Sequence, residues 1–158
     1  MKIIAAVIGM GIGEKHLEAI DSFLGAKVKI ICEKNKKKIR TLKKRYPNKI
    51  VTSNEEDVFF DKEINLVSIA SYDNYHYNQI IKCFKYDKNM IIEKPMCLNF
   101  SQLKKIYKLT KIKKIRMTSN LVLRVNSLFK YFKKKININK LYYIEGDYIW
   151  GRKHKLFG

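Results

Sequence analysis

Short apolar runs alternate with segments of helical periodicity from the first residue to about residue 120. This alternation constrains the fold more than any other feature of the chain. Residues 2–9 (KIIAAVIG) are apolar on both sides of the chain, as in a strand buried on both faces. Leu17, Ile20 and Leu24 follow at helical spacing. Residues 27–32 form a second strand. Ile39, Leu42 and Tyr46 mark one face of a lysine-rich helix that Pro47 closes. Ile50–Thr52 is a third strand, and Asn54 caps a helical turn carrying Val58 and Phe59. Residues 64–70 are a fourth strand, followed by the face Tyr77, Ile80, Ile81 and Phe84. Met90–Glu93 is a fifth. Asn99 or Ser101 caps a helix with Leu103, Ile106 and Tyr107 inward, and Ile115–Ser119 is a sixth strand. Strands and helices in this order predict an α/β fold, a doubly wound parallel sheet with helices on both faces and right-handed crossovers.

Beyond residue 120 the pattern changes. Leu128, Phe129 and Phe132 predict one more helix. Residues 140–150 (KLYYIEGDYIW) alternate as a strand of an antiparallel sheet would, with Trp150 on its buried face. One strand cannot bury a face without neighbours. The expected division is therefore a domain over 1–120 and the first elements of a truncated α+β domain over 121–158.

Of 158 residues, 34 are Lys or Arg and 14 are Asp or Glu, a net charge of +20. Such a balance invites a nucleic-acid or membrane-surface reading. Only five of the basic residues are arginine, the side chain that groove readers use for bidentate base contacts. The basic clusters 36–38, 43–45 and 133–135 read as solvated faces. No specific nucleic-acid partner is expected, and a basic polyanion binder stands as the weakest alternative. No apolar run approaches ~18 residues, so no membrane span is expected. Lys2 with Ile3–Ile8 mimics the start of a secretion signal, but glycines, Glu14 and Lys15 interrupt it without a small-residue cleavage site. Three cysteines, Cys32, Cys83 and Cys97, form no C-x-x-C pair and suit a reducing cytoplasm. They offer no metal-ligand spacing with the three histidines, and no nucleophile motif occurs.

The first strand ends in Gly9-Met10-Gly11-Ile12-Gly13, at the start of a helix. Glycines there let backbone amides approach a diphosphate, which the helix amino terminus favours. The third glycine comes one position earlier than in G-x-G-x-x-G, so a ligand-free glycine turn remains an alternative. Glu33 follows the second strand, twenty residues after Gly13. A carboxylate there accepts from ribose hydroxyls and repels a 2′-phosphate, which favours NAD over NADP; Lys34 next to it works the other way. A surface acid at a helix start is the plainer alternative. The fourth strand runs into Ser71-Tyr72-Asp73-Asn74-Tyr75-His76, and the fifth into Glu93-Lys94-Pro95. Both loops fall at the carboxyl edge of the sheet, where open parallel sheets bind ligands. A lysine so placed can donate to a hydroxyl or shuttle a proton.

The stretch G-x-G-x-G-x-x-H (Gly9 to His16), the loop Ser71–His76, the E-K-P of Glu93–Pro95, the segment Asn120–Arg124 and YYIEGDYIWGRKHKL resemble the Gfo/Idh/MocA oxidoreductases. The resemblance implies a Rossmann-type domain holding NAD(P). It puts Gly9, Met10, Gly11, Ile12 and Gly13 on the diphosphate, and Glu33 and Lys34 at the adenosine ribose. Ser71, Tyr72, Asn74 and His76 would line the nicotinamide side. Glu93, Lys94 and Pro95 would also touch the cofactor, with Lys94 the catalytic residue at the nicotinamide ribose and the substrate hydroxyl. Arg124 would contact cofactor or substrate, whereas His16 would pack near the glycine turn without touching a ligand. The implied reaction moves hydride to or from a hydroxyl-bearing carbon of a sugar, nucleotide sugar or cyclitol. The family's downstream D-x-x-x-H pair does not occur, and His154 does not replace it. An inactive dinucleotide-binding fragment is thus the alternative, and homo-oligomers are expected only of a longer form.

Overall fold

The computed structural model describes residues 2–147. The chain divides into two compact units, Met1–Leu121 and Val122–Gly158. In the first, six strands form one sheet in the order β3-β2-β1-β4-β5-β6. They are β1 (Ile3–Ile8), β2 (Ala26–Cys32), β3 (Ile50–Thr52), β4 (Leu66–Ile69), β5 (Asn89–Ile92) and β6 (Met117–Ser119). Every pairing is parallel. The order reverses between β1 and β4, which makes their carboxyl ends the switch point of the sheet.

Two apolar layers sandwich the sheet. Leu17 and Ile20 of α1 (Gly13–Asp21) and Leu42 of α2 (Lys36–Arg45) pack with Ala5, Val7, Val28 and Ile31. On the other layer, α3 (Glu56–Phe60), α4 (Asp73–Lys85) and α5 (Phe100–Ile112) contribute Val58, Phe59, Ile80, Phe84 and Ile106. These join Ala6, Ile8, Ile30, Cys32, Val67, Ile69 and Ile92 from the strands. Val28 and Ile30 belong to opposite layers although two residues apart. The cause is a register shift between Ala5 and Ala6 of β1, which leaves Lys29 of β2 as an extra residue.

The six strands stand where the apolar runs put them. Four side chains depart from expectation. Leu24 lies outside α1 and is 97% exposed. The helix stops at Asp21, whose Oδ1 accepts from Val28 N at 2.7 Å, and Gly25 at φ +85° turns the chain into β2. On α4, Ile81 is only half-buried, while His76, Gln79 and Cys83 share the buried face with Ile80 and Phe84. On α5, Ile106 is buried in the core and Leu109 packs partly against it, whereas Leu103 and Tyr107 are exposed. The Asn99 cap is present, its Oδ1 accepting from Gln102 N, whereas the N-cap of α3 is Glu55 without a side-chain bond and Asn54 Oδ1 accepts from Glu56 N one residue earlier.

The second unit holds α6 (Ser127–Lys135), whose Asn126 side chain accepts from Leu128 N. The expected strand over 140–150 is not formed in its described part. Residues 141–147 carry no regular structure and Lys140 ends a 3-10 turn. A strand exists only against a hydrogen-bonded neighbour, and none of the described residues supplies one. Trp150 and His154 lie outside the described residues.

Candidate functional site

A cleft of about 590 Å³ opens at the switch point. Its walls include Gly9, Met10, Gly11 and Ile12 from the turn after β1, Glu33, Lys34, Asn35 and Lys38 beyond β2, and Ser71, Tyr72 and Tyr75 beyond β4. The sequence thus brings three distant loops to one concavity.

The glycines do three different things. Gly9 sits at φ +87°, and a Cβ there would stand 2.5 Å from Ala70 O. No side chain fits, because β1 and β4 approach each other at this residue. Gly13 opens α1 against the sheet, where a Cβ would meet Val7 Cγ1 at 3.0 Å and Ala70 Cβ at 3.1 Å. Gly11 faces open space, with nothing within 4 Å of an added Cβ. Ile12 at the N-cap supplies no side-chain acceptor, so the first amides of α1 carry no side-chain cap. A cradle closed to side chains at Gly9, open at Gly11 and lined by uncapped amides fits a dinucleotide's diphosphate.

Glu33 stands beside that turn. Its Oε2 accepts from Met10 N at 3.0 Å and its Oε1 from Asn35 N at 2.9 Å. Two backbone amides therefore hold the carboxylate at the cleft wall. Lys34 shares the wall, with its ammonium 3.7 Å from Glu55 Oε1 and 3.9 Å from the centroid of the Tyr75 ring. Glu55 in turn accepts from Gln79 Nε2, and Gln79 Oε1 accepts from the Ser71 hydroxyl at 2.7 Å. Cys32 also reaches the wall, but burial first, and then Glu55, Asp57 and Glu33, push its thiol up to about 12. It is no nucleophile at neutral pH.

Of the other candidates, Asn74, His76, Glu93, Lys94 and Pro95 lie apart from these walls. Asn74 is exposed on the first turn of α4. His76, expected beside the cofactor, is fully buried. Its Nδ1 lies 2.7 Å from Pro95 O and its Nε2 3.1 Å from Ser71 O, so it sits beneath both loops and, with Nδ1 protonated, donates to Pro95 O. Glu93, expected to touch the cofactor, also turns inward. Its Oε1 accepts from His16 Nε2 at 2.9 Å and from Asn120 Nδ2 at 2.5 Å, and its Oε2 accepts from Lys94 N at 3.3 Å. Burial pushes this carboxyl up, but the bonds from Asn120 and His16 outweigh it and hold Glu93 below its ordinary value. Lys94 and Pro95 are exposed at the end of β5, one strand from β4, joined by a cis peptide bond. No described residue accepts a hydrogen bond from the Lys94 ammonium. Arg124 belongs to the second unit, on the 3-10 turn Val122–Arg124.

Sequence reasoning missed the partners of Glu93. His16, Ser68 and Asn120 come from α1, β4 and the end of β6, and Ser68 Oγ lies 2.7 Å from His16 Nδ1. Their separations in the chain, 77 residues between His16 and Glu93, leave no local signal. Among the described residues no group of three metal-binding side chains occurs, and no helix is long and apolar enough to cross a membrane.

Known proteins resemble this chain in sequence and in fold. A myo-inositol 2-dehydrogenase of Thermotoga maritima is 24% identical over 131 residues, 82% of this chain and 39% of that protein. An uncharacterized oxidoreductase of Escherichia coli (strain K12) is 29% identical over 90 residues, 57% of this chain and 26% of that protein. The crystal structure of a myo-inositol 2-dehydrogenase from Lactobacillus plantarum superposes with a TM-score of 0.77 at 23% identity, over 85% of this chain and 40% of that one. The chain thus spans about a quarter to two fifths of the curated relatives it matches. Residues 3–121 match the family described as "Oxidoreductase family, NAD-binding Rossmann fold". With its parallel sheet in the order β3-β2-β1-β4-β5-β6, its glycine turn and its match over 3–121, the chain belongs to the Gfo/Idh/MocA oxidoreductase family.

Proposed function

We propose that residues 1–120 bind NAD and serve an oxidoreductase acting on a hydroxyl-bearing carbon of a sugar, nucleotide sugar or cyclitol. Residues 121–158 then open a substrate-side domain. The observation that carries this reading is the pairing of the glycine turn with Glu33, through Met10 N, at the mouth of one cleft. The amides of Gly11–Gly13 take the diphosphate, while those of Gly9 and Met10 donate to Cys32 O and Glu33 Oε2 and hold the turn. Glu33 takes the adenosine ribose, and its charge disfavours a 2′-phosphate. Lys34, drawn toward Glu55 and Tyr75, leaves that charge standing, which supports NAD over NADP. Ser71, Tyr72 and Asn74 flank the nicotinamide side. Lys94 donates to the reacting hydroxyl and carries its proton. When bound, the nicotinamide supplies the hydride chemistry. The relatives named myo-inositol 2-dehydrogenase support a polyol substrate.

Calorimetry of the chain with NAD, NADH and NADP tests the reading. NAD and NADH are expected to bind more tightly than NADP, and Glu33→Ser to narrow that gap by about tenfold or more, the worth of one charged hydrogen bond. Binding of none of the three would sink it. Binding without turnover on any polyol would support the alternative of a dinucleotide-binding chain that does no chemistry.

A further inference from the structure

The side chain of Lys94 is exposed, yet the peptide that carries it is anchored on both sides. On the amino side Glu93 is buried and receives three donors: His16 Nε2, Asn120 Nδ2 and the amide of Lys94 itself. A carboxylate only accepts, so His16 carries its proton on Nε2, and in the neutral ring Nδ1 accepts from the Ser68 hydroxyl. That chain of bonds links α1, β4, β5 and β6. On the carboxyl side His76 of α4 reaches Pro95 O at 2.7 Å and approaches Ser71 O with its other nitrogen. Thus a half-buried histidine holds the residue before the lysine and a fully buried one the residue after it.

Burial keeps Ser68, His76 and Glu93 from meeting a ligand, while His16 and Asn120 are half-buried beside them. Ser68 and His76 are fully buried, Glu93 nearly so, and none of His16, Ser68, His76, Glu93 and Asn120 is among the walls of the cleft. A polar core built only for stability has a simpler solution, since apolar residues of the same volume generally serve as well as a buried charged pair. What this network adds is a fixed direction for the residue between its two anchors.

We propose that His16, Glu93 and His76 are positioning residues that clamp the turn Glu93-Lys94-Pro95 from both sides and so aim the Lys94 ammonium. This inference rests on the reading of Lys94 as the nicotinamide-side lysine. It moves Glu93 and His76 from the ligand's surroundings to the support of the residue that meets the ligand.

The test is amine labelling of the full chain, read lysine by lysine by mass spectrometry, with and without NADH. NADH is held at ten times the Kd measured for each variant, so that differences in affinity drop out. A lysine covered by bound NADH is then labelled about tenfold more slowly. In the unaltered chain both Lys94 and Lys38, on the cleft wall, are expected to show this protection. In His16→Leu and Asn120→Ala, Lys94 is expected to fall below about threefold protection while Lys38 keeps its own, since the ligand is equally bound in all cases. A network serving stability alone would leave Lys94 as protected as Lys38 in every folded variant, and that result overturns the clamp. Circular dichroism identifies a variant that does not fold; if His16→Leu fails, Asn120→Ala decides. Misfolding of both also overturns it, because the network would then serve the fold before the lysine. No protection of Lys94 in the unaltered chain, with NADH bound, would instead remove the assignment of Lys94.

Discussion

Gly9 and Gly11 stand two residues apart in one turn and answer to different demands. Gly9 is fixed by the fold, since its φ of +87° and the 2.5 Å approach to Ala70 O forbid a side chain whether or not a ligand binds. Gly11 has open space beyond it, so the fold does not require it. Gly9→Ala is expected to cost about 1–3 kcal/mol in a urea titration from backbone strain alone. Gly11→Ala is expected to melt with the parent and to lose NADH affinity by about tenfold or more, because a methyl group then stands where the diphosphate approaches. Equal affinity in Gly11→Ala would place the diphosphate elsewhere. The sequence makes the turn legible but cannot rank its glycines, because Ala70, whose carbonyl decides Gly9, lies on another strand far along the chain. Likewise Glu33 is legible from its distance to the turn, whereas the inward aim of Glu93 depends on His16 and Asn120, each remote in the chain.

At the scale of elements, the central strands β1 and β4 were legible because burial on both faces leaves a nearly unbroken apolar run, whereas the edge strands β3 and β6 are only partly buried. Helix faces were less so. Apolar spacing on α5 names Leu103, Ile106 and Tyr107 alike, and only the tertiary packing around the helix separates the buried one from the exposed two. Polar residues on a buried face, such as His76 and Gln79 on α4, carry no apolar signal at all; their partners are backbone carbonyls and side chains of other loops. Caps are local and therefore readable. Asn35 closes the start of α2 by accepting from Lys37 N at 2.9 Å and Lys38 N at 3.1 Å, and Lys38 lines the cleft. Asn35→Ala is expected to cost about 1 kcal/mol in the urea midpoint. An unchanged midpoint would mean that the helix start is held by packing rather than by its cap.

For the whole molecule, the net charge of +20 acts before any contact forms. Lys34 and Lys38 stand on the cleft wall, and α2 carries Lys36, Lys37, Arg40, Lys43, Lys44 and Arg45 with no acid of its own. An anionic cofactor is drawn toward such a surface over about 10 Å at 0.1 M salt. Stopped-flow measurement of NADH binding is expected to show an association rate that falls steeply with added salt and a dissociation rate that changes little. A flat association rate would mean that the lysines do not guide the ligand.

The extra residue in β2 has a consequence for how such chains are compared. Side chains of a strand alternate between faces, so one inserted residue exchanges the faces of all that follow. Lys29 makes that exchange between Val28 and Ile30, and Ile8 then pairs with Cys32. Glu33 is consequently level with Gly9 and within reach of Met10 N. Counting letters from glycine to acid therefore measures two things at once, the length of a ladder and a kink within it. A homologue without this extra residue would run as a straight ladder and keep its acid level with the first glycine, although its count from glycine to acid is one shorter.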